Sequence, residues 1–143
     1  MPSFPSAKLP STCAACRAPG SLEVGQAITD GRLTWFERFA CACGHGFEAS
    51  GAGTPTPAAR SALLAQSGTA ELWLDDPAWR GVMARLLTRV GELGAAEAEA
   101  RLAALPALAF SGTHAEVAFL LAALEKNGGT ARVVHRVGPG AGG

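Results

Sequence analysis

Cys13-Ala14-Ala15-Cys16 and Cys41-Ala42-Cys43-Gly44-His45 decide how the first third of this 143-residue chain is read. Two short loops that each carry two thiols can place four sulfurs around one metal ion, and tetrahedral zinc takes such ligands at about 2.3 Å. The segment between the pairs supplies a hairpin, with a turn signal at Asp30-Gly31 and the apolar run Leu33-Thr34-Trp35-Phe36 leading to Phe39. The expectation is a zinc ribbon over residues 11–50 held by Cys13, Cys16, Cys41 and Cys43. The second pair has one intervening residue and is followed by Gly44-His45, so His45 is an alternative ligand. Two disulfides are the competing reading. The opening residues hold prolines and one lysine but no apolar signal-peptide core, and paired cysteines in a reducing cytoplasm more often hold metal. Four protein ligands leave no position for water, so the zinc is expected to be structural. About forty residues do not fold on apolar burial alone, and zinc contributes roughly 10–16 kcal/mol in small zinc-folded peptides.

Outward from this segment, composition excludes several classes. Twelve Lys and Arg balance twelve Asp and Glu, and the balance holds separately on either side of Ser50. Nothing in the net charge steers the chain to nucleic acid. The apolar stretches are interrupted by Arg or Glu and are too short to span a bilayer, so a cytoplasmic location is expected. Residues 1–10 and 138–143 read as flexible tails. Residues 51–68 read as a linker, glycine- and proline-rich at its start, in which Thr56-Pro57 could open a short helix through Ser67.

The remaining residues read as an α+β domain over 69–137. Glu71–Leu74 is a short strand, stopped by Asp75-Asp76-Pro77, with Asp76 as N-cap and Pro77 at the first helical position. Trp79, Val82, Met83, Leu86, Leu87 and Val90 draw one apolar stripe on a helix that Gly91 and Gly94 end. A second helix is expected from about Ala95 to Leu105, burying Ala98, Leu102 and Leu105 and closed by Pro106. A strand fits at Leu108–Phe110. Thr113-x-x-Glu116 is a capping box for a third helix with Val117, Leu120, Leu121 and Leu124 on one face. Asn127-Gly128-Gly129 ends it, and Thr130–Val137 reads as a closing strand. The expected order is β-α-α-β-α-β, with helices on one face of a small sheet.

That order, together with Leu93-Gly94, Glu97-Ala98, Leu102 leading to Pro106, Thr113 before the last helix, and Ala123-Leu124-Glu125-Lys126-Asn127-Gly128, resembles the C-terminal domain of bacterial ribosomal protein L7/L12. The fold is shared with the ClpS adaptor, and the resemblance covers residues 69–135. In that family the first helix and the start of the second carry basic residues that recruit translation GTPases. Arg80 and Arg85 stand where basic residues are expected, whereas Thr88, Ala96 and Glu99 occupy other positions of that face. The family's dimerising N-terminal helices and hinge are replaced here by the ribbon.

No arrangement of nucleophile and base is legible, so no enzyme is expected. His114 reads as a solvated residue at a helix start and His135 as a sheet residue, while Asp75-Asp76 is explained by the strand stop and helix cap. In the ribbon, Arg32, Trp35, Phe36, Arg38 and Phe39 interleave aromatic and basic residues, a pattern that can stack on bases or meet a protein. The expected function is a non-enzymatic, zinc-binding protein-interaction or adaptor module. Its candidate contact residues are Trp35, Phe36 and Arg38 on the ribbon and Arg80, Arg85 and Arg89 on the second domain. A protein partner is expected because the ribbon carries no net positive charge. The alternatives are a ribosome-associated or nucleic-acid-binding factor, and an inhibitor or immunity-type protein that occludes one target. No membrane or small-molecule substrate is expected.

Overall fold

Asp30 and Gly31 both adopt positive φ, 52° and 73°, the conformation that a two-residue hairpin turn needs at both central positions. They join β2 (Pro19–Thr29) to β3 (Arg32–Ala40) in a long antiparallel ladder from Thr29↔Arg32 to Leu22↔Phe39. β1 (Ala7–Thr12) adds to β2 and β4 (Gly46–Ala52) adds to β3, so the first sheet has the order β1-β2-β3-β4, antiparallel throughout. The structure, a computed structural model, describes residues 3–90 and 93–137. Among them lie four α-helices and two antiparallel sheets, an α+β architecture in two units that divide between Gly68 and Thr69.

In the first unit, α1 (Pro57–Ser67) packs on the sheet. Thr56 caps it, its Oγ1 accepting from the Ala59 amide at 3.3 Å, and Pro57 occupies the first turn. Ala59, Ala62 and Leu63 share one helix face and bury against Ala7 and Val24, with Leu9 and Leu22 alongside. This core is small and mostly alanine. Leu33 and Phe39 are buried on β3, and Val24, opposite Glu37, lies on the same sheet face as they do. Gln26 is also buried there, and its Nε2 has no hydrogen-bond partner among the described residues.

The second unit centres on β5 (Thr69–Leu74), which lies between β6 (Ala107–Gly112) and β7 (Arg132–Arg136), both antiparallel to it. Between β5 and β6 the chain forms a 3₁₀ turn, then α2 (Arg80–Val90) and α3 (Ala95–Arg101); α4 (His114–Lys126) lies between β6 and β7. Ala70, Leu72 and Leu74 alternate toward the helices and bury with Met83, Leu86 and Leu87 of α2 and Val117, Leu120 and Leu124 of α4. The capping box of α4 is reciprocal: the Glu116 amide donates to Thr113 Oγ1 at 3.2 Å, and the Thr113 amide donates to Glu116 Oε1 at 2.9 Å. On the other side of β5, Glu71 accepts from Trp73 Nε1 at 3.1 Å and pairs with Arg136 Nε at 3.0 Å, while Arg132 makes two 3.2 Å bonds to Asp75.

Four expectations need correction. Residues 1–10 are not a tail throughout, because Ala7–Thr12 is a strand paired with β2 and tied to α1. Residues 51–68 contain the short helix expected to open at Thr56-Pro57 and run through Ser67, but this part is no free linker, because the spacing of Ala59, Ala62 and Leu63 lets α1 bury against β1 and β2. The helix expected to reach Leu105 ends at Arg101. The Arg80 Nε–H takes the Leu102 carbonyl at 2.9 Å, so that carbonyl has a partner without a further helical turn, and Leu105 is half-buried. Gly94 starts α3 as its N-cap. The other helix-ending residue expected there, Gly91, and the tail at 138–143 lie outside the described residues.

Candidate metal centre

Two turns at the same end of the first sheet carry the cysteines. In the first, which joins β1 to β2, the Cys13 amide donates to the Ala18 carbonyl and the Arg17 amide to the Cys13 carbonyl, both at 2.9 Å, with Arg17 at φ 65°. In the second, which joins β3 to β4, the Gly44 amide donates to the Cys41 carbonyl and the Cys41 amide to the His45 carbonyl, again at 2.9 Å. Gly44 sits at φ 97°, a conformation that favours glycine. The single-residue spacer is therefore accommodated by a tighter turn.

These turns bring all four sulfurs within 4.8 Å of one another. Cys13 Sγ lies 3.7 Å from Cys43 Sγ, and Cys16 Sγ lies 3.5 Å from Cys41 Sγ. Four thiolates at about 2.3 Å from a central ion would stand about 3.8 Å apart, so the sulfurs already outline a tetrahedral shell. All four cysteines are free thiols, and the contacts run between the two turns, one from each. The disulfide reading is thus not the arrangement seen. His45 is outside this group of ligand atoms. Cys13 is buried, whereas Cys16 and Cys43 are exposed.

The electrostatics of the cluster are those of crowded acids sharing protons. Backbone amides of Cys16 and Ala15 lower the Cys13 thiol to about 6. At Cys16 the Ala18 amide pulls downward, but the neighbouring sulfurs of Cys41, Cys43 and Cys13 outweigh it and push the thiol up to about 12. Cys43 is raised in the same way, with the His45 amide opposing and the Cys41 sulfur prevailing. One sulfur is held as thiolate while neighbours keep protons, and a cation placed among them would take over those protons' role.

The candidate contact residues fall into different settings. Trp35 and Phe36 are half-buried on opposite faces of β3, each laid over a glycine of the neighbouring strand: Trp35 opposite Gly51, Phe36 opposite Gly25. Arg38 stands over the Phe36 ring at 4.9 Å between Glu23 (3.5 Å) and Glu48 (3.4 Å). Arg80 is committed to the Leu102 carbonyl, and Arg85 and Arg89 are exposed on α2. A groove of about 590 Å³ runs between α2 and α3, bordered by Arg80, Arg85, Thr88 and Glu99 with Gly81 and Ala84 at its floor. The His114 and His135 rings lie 4.6 Å apart, a pairing of α4 with β7 that spacing in the sequence did not suggest. Sequence reasoning also missed Gln66 of α1, whose amide accepts from the Lys8 amide at 2.9 Å and donates to the Lys8 carbonyl at 2.7 Å. A polar residue fifty-eight positions away leaves no local signal.

No family model, curated protein or solved structure matches the chain.

Proposed function

We propose that this chain is a non-enzymatic protein-interaction module whose first unit is a zinc ribbon. The observation that carries the reading is the four-sulfur cluster: an all-thiolate shell suits zinc, fills every tetrahedral position, and leaves none for substrate or water. Cys13, Cys16, Cys41 and Cys43 would hold the ion, and its contribution is to hold the two turns together and so fix the ribbon surface. A surface already fixed meets a partner without an ordering penalty.

The second contact surface in this reading is α2 and the groove beside it, with Arg85 and Arg89 presented outward. The order β5, α2, α3, β6, α4, β7 supports the resemblance to the L7/L12 C-terminal domain, and in this proposal the second unit has that fold. A protein is favoured over RNA because Glu23 and Glu48 flank Arg38, which leaves the ribbon's aromatic residues without an unopposed cation beside them.

Native mass spectrometry of the reduced protein tests the first part. One zinc per chain, lost to a chelator, is the expected result, and a metal-free chain after zinc reconstitution overturns it. Affinity capture from a bacterial lysate with the zinc-loaded protein, the chelated protein and Arg85→Glu tests the second. A specific partner held by the first and released by the other two is expected; a partner held equally by all three overturns the assignment of these surfaces.

A further inference from the structure

The two edges of the first sheet are treated differently by the chain. On β1 the outward-facing backbone is blocked at two positions. Lys8 has both its amide and its carbonyl taken by the Gln66 side chain, and position 10 is proline, which has no amide to offer. On β4 no comparable contact is made among the described residues: Gly46-Phe47-Glu48-Ala49-Ser50-Gly51-Ala52 contains no proline or lysine, and five of its seven residues are exposed. Phe47, 45 % exposed, is one of two large hydrophobic residues exposed among those described.

The hydrogen bonds at both ends of β4 fix which residues face outward. The Gly53 amide donates to the Leu33 carbonyl and the Cys41 amide to the His45 carbonyl, so residues 45, 47, 49, 51 and 53 turn their backbone groups toward β3. Gly46, Glu48, Ser50 and Ala52 therefore turn theirs away from the sheet. This set is self-complementary. An antiparallel pair of β4 strands related by a twofold axis at Ala49 matches Gly46 with Ala52 and Glu48 with Ser50, satisfying about eight backbone hydrogen bonds.

Side chains agree with that register. Ala49 would meet its symmetry mate at the closer, non-hydrogen-bonded spacing, where a small residue fits. Glu48 would face Ser50, not another carboxylate. Phe47 would face Gly51, whose space on that side is occupied by the Trp35 indole: a Cβ built on Gly51 lies 2.8 Å from Trp35 Cζ2. The exposed phenyl of one copy would thus reach the half-buried indole of the other, an aromatic pair formed twice by symmetry.

We propose that β4 is a self-association edge, and that its occupant is β4 of a second copy, paired antiparallel about Ala49 to give a continuous eight-stranded sheet. Sedimentation equilibrium of the zinc-loaded full chain, from micromolar to near-millimolar concentration, is the test. A reversible dimer is expected, and a monomer over the whole range overturns the proposal. The register is tested by charge. Ser50→Lys places two lysines opposite Glu48 of the other copy and is expected to tighten the dimer, whereas Ser50→Glu is expected to weaken it, each by about two- to thirtyfold from two cross-strand charge pairs. Ser50 lies opposite Phe36 within its own sheet, so neither charge has a directly opposite charged partner there. Zinc content and far-UV circular dichroism establish that both variants are folded. Equal effects of the two substitutions, or no effect of either on a dimer that does form, would overturn the β4 register.

Discussion

Removal of the metal should unfold one unit and leave the other standing. In the first unit the cluster beneath α1 comprises three alanines with Val24 and Leu63, and their full burial is worth about 6 kcal/mol at roughly 0.8 kcal/mol per methyl and about 2 kcal/mol per branched side chain. Leu33 and Phe39 add about 4 kcal/mol on the same scale. A structural zinc site supplies about 10–16 kcal/mol, as much as the whole of that burial. Because the net stability of a domain is only about 5–15 kcal/mol, subtraction of the metal term takes most of that range below zero, and a core this small places the ribbon there. The second unit buries nine large apolar side chains in its core, including Leu72, Leu74, Met83, Leu87 and Leu102, and contains none of the chain's cysteines. The assay is hydrogen exchange by mass spectrometry with and without excess chelator, under a phosphine reductant that keeps thiols free. Amides of β2 and β3 should lose protection by several orders of magnitude on chelation, while those of β5 and α4 keep theirs. Retention of protection in β2 and β3 with zinc demonstrably absent would refute the reasoning, because the apolar core would then suffice alone.

Zinc affinity should rise with pH, since Cys16 and Cys43 hold protons that the ion must displace; these two alone make at least about a hundredfold change per pH unit near neutrality. Competition with a chromophoric chelator between pH 6.5 and 8 measures it, and a change below tenfold per unit contradicts the proton count. Glu71 has its pKa lowered, first by the Arg136 hydrogen bond and then by Trp73, so it stabilises the second unit above the ordinary glutamate pKa and loses that contribution as pH falls through its lowered value. Thermal melts between pH 3 and 6 should therefore fall less steeply in Glu71→Gln than in the parent. Gly25→Ala would drive a methyl into the Phe36 ring and should destabilise the ribbon by about 1–3 kcal/mol in denaturant titrations, a loss that Phe36→Leu in the same chain should partly restore. Gln26→Met should stabilise it by about 1 kcal/mol, because the buried Nε2 gives up water without gaining a partner; an unchanged midpoint would show that the amide is satisfied.

Legibility in the sequence followed the range of the interactions. The Asp30-Gly31 turn, the Asp76 and Thr113 caps and the stripe of Met83, Leu86 and Leu87 rest on neighbours within a few residues, and each stands where local rules put it. The cluster of four cysteines was legible because thiols are scarce and come in pairs. What was misread depends on distant partners. Residues 7–10 read as part of a tail because their strand character comes from β2 and Gln66; Pro10 stands at an outward-facing position, which an edge strand tolerates. α1 was legible as a short helix from its Thr56-Pro57 start but not as part of a core, because its three buried residues gain meaning only against Ala7 and Val24. The ion pairs of Arg38 with Glu23 and Glu48 are not legible in the sequence, because the three residues come together only after the strands pair. Among the contact residues, then, the sequence separated types but not their neighbours.

Both cysteine turns lie at one end of the first sheet, and Asp30-Gly31 closes the opposite end. This polarity sets an order of assembly. The β2–β3 ladder closes through a two-residue loop, a microsecond event needing no metal, whereas the ligand shell is complete only when both outer strands have docked. Zinc would then capture a hairpin that forms transiently without it, and the full sheet would persist only once the ion is bound. In a double-mixing refolding experiment, hairpin formation should proceed at the same rate whether zinc is present from the start or added later. A rate that tracks zinc concentration from the earliest phase would reverse the order.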